Sequence, residues 1–400
     1  MTPLEWLRLP LRYRPWRPLH LRLVAADLWG REGRPHADHR AHLEAAIDWL
    51  CRAQDRRDGE RDAGGVAAGW SFEDGWLPAY PETTGYIIET FIAAAPLLGR
   101  PELERRAARM IDWELSLQGP DGAFPGHFGE PGSRPVIFNT GQIMHGMLAG
   151  HLALGRDDCL EAAVRAGHWL ARHQGADGAW HDYEHNGIPH VYNTRATWAL
   201  LATGRVAGEA SLVDAAKAHL EWALARREGD GWFRENAFTP GQAPFLHTIA
   251  YAIRGLLECG RLLGDERYLS AAEDAAAVLA GCQRADGWLA GAYGQGWRPA
   301  GTYCCLTGLA QMVLDWQRLD QIRGDARFAG PARLGLDYLE SLHRLEDPAD
   351  PVRGGVAGSY PIWGAYSRFE FPNWAAKFFA DALIMALTGR PLPAEIEPHG

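Results

Sequence analysis

The chain has no long apolar run. No stretch of its 400 residues approaches the roughly 18 apolar residues of a membrane-spanning helix, which argues against a helical membrane protein. The opening segment, MTPLEWLRLPLRYRPWRPLHLRL, has five Arg in its first 22 residues. It lacks the apolar core and small-residue cleavage site of a secretory signal. The expectation for residues 1–39 is a basic, strand-like arm wrapped around a domain. The sharper alternative is a dock for acidic lipid or a partner. Cysteine is scarce: six residues, scattered except for Cys304-Cys305. That is no disulfide framework, and it points to a reduced, cytoplasmic protein. Positive charge is outweighed, with a formal net charge of −10. A general nucleic-acid role is therefore excluded.

Tryptophan and glycine are abundant, at 17 and 46 residues, and they recur in a phrase. SLQGPDGAF (116–124), RHQGADGAW (172–180), RREGDGWF (226–233) and GCQRADGW (281–288) each follow a helix-like stretch. RAQDRRDG (52–59) is a divergent copy. The Asp of Asp-Gly falls at 121, 177, 230 and 286, a period of about 54 residues. Each unit has the same grammar. An amphipathic helix comes first, with apolar residues at three-four spacing. A turn and a long loop of Gly, Pro, Asn and aromatics follow. A more apolar helix then starts near a Thr or Asn, and a short Gly-containing turn leads onward. Thr84, Thr140, Thr194, Thr248 and Thr302 mark five of these second helices, and PNWAAKFFAD (372–381) begins a sixth.

Six helical hairpins predict an all-α protein, one domain over residues 40–390 with a tail at 391–400. Closing the hairpins into a ring removes the open ends that a solenoid must cap. The apolar helices form its inner ring and the amphipathic ones its outer ring. The long loops enter every inner helix at its N-terminus, so function is expected on that face. The Gln and aromatic of the repeated phrase read as joints between neighbouring hairpins.

Arg165, Ala166, Trp169, Leu170, Gln174, Gly178 and Trp180 resemble the QW motif of squalene cyclases and related toroid enzymes. The resemblance implies an (α/α)6 toroid over nearly the whole chain. That architecture serves terpene cyclases, prenyltransferases, glycosidases, polysaccharide lyases and sugar epimerases, so fold does not settle function. The acidic Asp-x-Asp-Asp motif of class II cyclases is absent. In Ala300-Gly301-Thr302-Tyr303-Cys304-Cys305-Leu306-Thr307-Gly308-Leu309, which resembles a prenyltransferase zinc segment, Gly301 stands where the zinc histidine would be. YPETTGY (80–86), FLHTIAYAIRGLLE (245–258) and GSYPIWGAYSRFEFPNWAAKFF (358–379) are similar to segments of the Vps-type toroid proteins of bacterial exopolysaccharide clusters. That similarity implies a sugar polymer or lipid-linked glycan as substrate, and contact with a polysaccharide biosynthesis complex.

The long loops hold the candidate chemistry. Expected catalytic residues are Glu73, Glu82, His190, Tyr192, Glu235 and His247. Expected substrate-binding residues are Trp70, Asp74, Trp76, Tyr80, Asn193, Arg195, Asn236, Tyr251, Tyr303, Trp363, Arg368, Glu370 and Trp374. Trp70, Trp76, Tyr192, Trp363 and Trp374 are expected to wall a groove. Aromatic faces pack on sugar C–H groups, while carboxylates and amides meet hydroxyls. Any single aromatic has an equally good reading as loop packing. Hydrolysis needs two carboxylates, drawn from Glu73, Asp74, Glu82, Glu235 and Glu370. Lyase or C5-epimerase chemistry on a uronic acid needs a His or Tyr base and Asn or Arg for the substrate carboxylate. HDYEH with His190 has ligand types but no metal-site spacing. Adjacent Cys304-Cys305 is similar to a zinc cysteine pair of some toroid arabinofuranosidases, though two inert core thiols are the preferred reading, and no metal or cofactor is expected. The function expected is a glycan-active enzyme, a hydrolase or a lyase/epimerase. The alternatives are a terpene cyclase or prenyltransferase-like enzyme and a non-catalytic glycan binder.

Overall fold

The computed structural model describes residues 11–30, 38–130, 132–346 and 350–392. Residues 1–10, 31–37 and 393–400, which hold most of the tail and parts of the arm, lie outside it. The arm contributes α1 (Pro18–Leu28), so its described part is helical rather than strand-like. Pro18 opens this helix, where a missing N–H costs nothing.

Among the described residues, twelve further α-helices alternate between two rings. The outer ones are α2 (His39–Asp55), α4 (Glu102–Leu117), α6 (Asp157–Arg172), α8 (Ala210–Leu224), α10 (Glu266–Cys282) and α12 (Ala329–Leu342). The inner ones are α3 (Pro81–Leu98), α5 (Ile137–Leu154), α7 (Thr194–Ala207), α9 (Leu246–Leu263), α11 (Leu306–Arg323) and α13 (Asn373–Thr388). Burial follows sequence. In α6 only one stripe is buried, Cys159, Ala162, Ala163, Ala166, Gly167, Trp169 and Leu170, which is the amphipathic pattern. In α5 every residue from Ile137 to Gly150 is buried, as for a helix surrounded by others. Each inner helix ends on a left-handed glycine, as at Gly99 (φ 68°) and Gly155 (φ 67°). A residue without Cβ adopts that conformation freely, which makes the short turn tight.

The packing partners differ from the order of the repeat. Each inner helix packs on the outer helix that follows it: α3 on α4, α5 on α6, and so on to α11 on α12. The last inner helix, α13, has no successor and packs against the first outer helix, α2. It also touches α11 and α3, so the inner ring closes. A three-stranded sheet reinforces the seam: β1 (Gly69–Ser71) pairs antiparallel with β2 (Gly75–Trp76) and with β7 (Glu370–Pro372), setting Trp70 opposite Phe371. Four further short strands, β3 (Tyr293–Gly294) with β4 (Arg298–Pro299) and β5 (Cys304–Cys305) with β6 (Ser359–Tyr360), tie the later loops.

The repeated Gln is the joint between neighbours. Gln174 donates from Nε2 to Gly178 O (3.0 Å) in its own turn and to Ala215 O (2.9 Å) in the next outer helix. Gln118 does the same to Gly122 O and Ala162 O, and Gln283 to Gly287 O and Pro331 O. In the fourth unit Arg227 replaces Gln and pairs with Asp274 of the next outer helix. Trp180 is fully buried and donates to Leu170 O at 2.9 Å.

The marker threonines lie at or near the starts of the first four inner helices, and the first two tie loops down rather than cap a helix. Thr84 and Thr140 lie inside the first turn, not at the cap, and accept from Val66 N (3.0 Å) and Phe124 N (3.4 Å). They tack each long loop onto its inner helix. Thr302 lies in a loop four residues before α11 begins, because strand β5 intervenes.

Candidate active site

The N-termini of five inner helices converge on a cavity of ≈ 290 Å³ on the long-loop face. Tyr80, Glu82 and Tyr86 enter it from the start of α3, Phe138 and Asn139 from α5, and Tyr192 from the turn before α7. His247 and Tyr251 come from α9 and Trp374 from α13, with His185, Phe238 and Tyr366 added by loops. The wall is therefore aromatic, with few ionisable groups.

Those few are strongly perturbed. Burial pushes the Glu82 carboxyl up to about 7, against the opposing effects of the Tyr80 hydroxyl and the Arg195 charge. Tyr80 donates to Glu82 Oε2 at 2.9 Å, and Asn139 donates to the Tyr80 oxygen at 3.4 Å. Across the ring, burial holds His247 neutral, down to about 3. Its Nδ1 faces Gln311 Oε1 at 2.7 Å. With the amide oxygen as acceptor, Nδ1 carries the proton and Nε2 is the basic nitrogen. Tyr251 and Tyr366 flank the imidazole at 4.3 and 5.1 Å. A second carboxyl, Glu184, stands behind Tyr192. Burial raises it well above the carboxylate range, and it accepts from Asn193 Nδ2 at 2.6 Å. The site thus pairs a carboxyl protonated near neutrality with a neutral imidazole, the complement for moving a proton to and from a bound molecule.

Of the residues expected from sequence, Tyr80, Glu82, Tyr192, His247, Tyr251 and Trp374 line this cavity together. Asn193 stands one layer back, on Glu184. His190 is buried behind Tyr192, stacked on it at 4.4 Å. Its Nε2 meets His185 O at 2.8 Å, and burial lowers it to about 4. Arg195 lies beneath the floor. Its guanidinium sits 5.3 Å from the Tyr251 ring and 5.4 Å from Phe378, with Nε donating to Gln142. A position one residue into α7 points toward the ring axis below those aromatics, so Arg195 does not line the cavity.

The others fall elsewhere. Glu73, Asp74 and Glu370 gather near Arg12, which donates to Glu73 at 2.5 Å. Trp70 is buried between His20 and Phe371, and Trp76 packs on Trp49 at 5.3 Å. Tyr303 fills the space left by Gly291 and Gly301. Trp363 packs on the core, and Arg368 is half-buried outside the cavity. Glu235 and Asn236 line a separate groove of ≈ 940 Å³ with Arg226, Trp232 and Gln242. There Glu235 accepts from Arg226 at 3.0 Å. Phe238 is part of the cavity wall while Ala237 and Thr239 line the groove, so one segment divides the two.

Tyr86, Phe138, Asn139 and Phe238 belong to the cavity without having been singled out. A signal was present for Asn139. It precedes Thr140 as Asn193 precedes Thr194 and His247 precedes Thr248, so the repeat itself puts it at the mouth.

No group of three or more His, Cys, Asp or Glu among the described residues is arranged to hold a metal ion. His181 instead meets Asp177, and Cys305 accepts from Gly308 N at 3.3 Å. Burial pushes the Cys305 thiol far up, which suits an inert core sulfur.

The model of the squalene-hopene cyclase C-terminal domain matches residues 76–259. No curated protein matches the chain. Among solved structures, the unsaturated glucuronyl hydrolase from Bacillus sp. GL1 superposes with a TM-score of 0.68 at 16% identity, covering 90% of this chain and 100% of that one. A variant of the unsaturated glucuronyl hydrolase from Streptococcus agalactiae, complexed with dGlcA-GalNAc6S, gives 0.68 at 12%, covering 96% and 97%. Cellobiose 2-epimerase from Bacillus thermoamylovorans B4167 gives 0.67 at 12%, covering 87% and 98%. The fold is the (α/α)6 toroid shared by these proteins.

Proposed function

We propose that this chain is a carbohydrate-active enzyme that performs acid–base chemistry on a glycan. The observation that carries the reading is the pairing of Glu82, raised to about 7, with neutral His247 in one aromatic cavity. Glu82 is the acid, hydrogen-bonded by Tyr80, and His247 Nε2 is the base. Tyr192, Tyr251 and Trp374 offer faces for sugar C–H groups. Two-carboxylate hydrolysis needs a second carboxyl in the cavity, and Glu184 stands behind its wall. The geometry therefore favours proton transfer to and from a molecule bound between carboxyl and imidazole: activation of water against a protonated sugar, or removal and return of a proton at carbon. The toroid enzymes this chain resembles in fold, two glucuronyl hydrolases and an epimerase, agree with that class.

The finer reading follows the similarity to Vps-type proteins: a bacterial exopolysaccharide or its precursor as substrate, in the cytoplasm, beside a polysaccharide biosynthesis complex. Six free cysteines suit that compartment. The division into an arm, one toroid over residues 40–390 and a tail belongs to the same proposal. The aromatic wall and the cyclase-domain match favour a second reading, a terpene-type enzyme. The absent acidic motif and the ionisable pair weigh against it. The test is incubation with neutral and uronic-acid oligosaccharides in deuterated water. New reducing ends, absorbance of unsaturated products and deuterium in recovered sugar are followed together. One of these signals is expected, lost in Glu82→Gln. Turnover of squalene or a prenyl diphosphate, with no glycan changed, would overturn the reading.

A further inference from the structure

The described part of the N-terminal arm leaves an apolar surface uncovered. Across the described chain, large hydrophobic residues exposed to solvent concentrate here: Leu11, Trp16 (59%), Leu21, Leu28 and Trp29 (83%). Within α1 and its C-cap, Leu21, Leu28 and Trp29 recur at i, i+7 and i+8, one helical stripe. The opposite side of the same helix is anchored. Leu23 and His20 are buried, His20 stacks on Phe72 at 4.0 Å, and Asp27 accepts from Ile362 N at 2.8 Å. The stripe is thus held outward by a helix that is fixed to the ring. Arg14 and Arg17 border it and have no ion-pair partner among the described residues.

We propose that this arm docks the protein on an anionic membrane surface. An amphipathic helix with Trp and Leu on one side and Arg beside them is the device by which a protein lies in the headgroup layer. Tryptophan favours that depth, and arginine adds attraction to acidic lipid. Charge also orients the molecule. The whole chain carries −10, and Arg12 and Arg22 are paired with Glu73 and Asp350, so Arg14 and Arg17 are the charges by which an acidic membrane draws the arm while it repels the body. The arm lies on the loops of the cavity face. Tyr13 contacts Phe369 at 4.6 Å, two residues from Ser367 in the cavity wall. Docking through it holds the cavity mouth on the membrane side.

The test is co-sedimentation of the full chain with vesicles of phosphatidylcholine alone and of phosphatidylcholine with phosphatidylglycerol. Binding is expected on the anionic vesicles only, weakened at least about tenfold by high salt. The doubly substituted chain Trp16→Ser/Trp29→Ser changes only exposed side chains and should keep its circular dichroism while losing about tenfold in binding. Arg14→Glu/Arg17→Glu should lose the preference for phosphatidylglycerol. A wild-type chain that ignores anionic vesicles, or binds both kinds equally, would overturn the proposal. So would loss of self-association in Trp16→Ser/Trp29→Ser without any vesicle binding, which would make a second copy the occupant.

Discussion

Glu82 has its protonation set by what surrounds it. Water is mostly removed, Tyr80 donates one hydrogen bond, and the Arg195 charge lies below the floor. The first effect wins, so the group titrates near 7 instead of near 4.5. An activity that uses Glu82 as acid should fall as pH rises through about 7 and lose that limb in Glu82→Gln, as a pH–rate profile would record. The same shift acts on stability. A carboxyl raised in the folded state favours folding most below its unfolded pKa. That contribution is lost as pH rises from about 4.5 to about 7, amounting to roughly 3 kcal/mol at most. Urea unfolding at pH 5 and pH 8 should therefore differ less in Glu82→Gln than in the wild type. His247 poses the opposite question. Its neutral state rests on burial, and Gln311 fixes which nitrogen holds the proton. Gln311→Glu would place a carboxylate at 2.7 Å from Nδ1 and favour the imidazolium. The His247 pKa, followed by NMR of the ring, should rise from about 3, and since the ring stays largely neutral at pH 7, the acid limb of any rate dependent on Nε2 should move to higher pH. An unmoved His247 titration would show that Gln311 does not govern the imidazole.

At the scale of elements, the joint between hairpins is a side chain that completes another helix's hydrogen bonding. Gln174→Ala deletes two bonds to carbonyls, one of them in the next outer helix, and should cost about 1–3 kcal/mol. Gly178→Ala should cost at least as much. Its φ is 87°, and an added Cβ would stand 2.4 Å from Ala218 O. Chemical denaturation of both variants measures the order. These joints were legible in sequence because they repeat at a fixed period and their residue types have few other uses. The helices were legible for the same reason, as was the face on which the long loops gather. Loop positions were not. Trp70, Trp76, Trp363 and Tyr303 have the composition of a sugar site, yet they fill the thick loop layer. Composition cannot tell a stacking face offered to solvent from one offered to a neighbouring loop. Period could: Glu82, Asn139 and His247, which line the cavity, and Asn193, one layer behind its wall, all lie one or two residues before a marker threonine. Arg195 lies one residue after, and that offset puts it under the floor.

At the scale of the whole molecule, the ring is closed by parts farthest apart in sequence. Helix α2 packs on α13, and α13 on α3. No local pattern announces that pairing, because the repeat describes each unit and not where the last one ends. The inner seam is ionic. Lys377, one of two lysines in the chain, reaches from α13 to Glu89 of α3 at 2.7 Å and to Asp381 one turn on. Asp381 also accepts from Thr90 at 2.7 Å. Lys377, Glu89 and Asp381 are all about 1–2% exposed. Burial alone would push Glu89 up, but the Lys377 ammonium, with His145 and Arg195, holds it below the usual range, while burial keeps Asp381 above it. Lys377→Ala would strand two carboxyls in the dry centre of the seam and should cost about 3–5 kcal/mol. Lys377→Arg should rescue little, since a planar fork replaces a compact ammonium held between two carboxylates on facing helices. Lys377→Met together with Glu89→Leu and Asp381→Leu should recover most of the loss, because removing all the charges leaves none unpaired. Denaturant unfolding of these three variants tests the seam, and near-wild-type stability in Lys377→Ala would mean that closure rests on the apolar contacts of α2 and α13 alone.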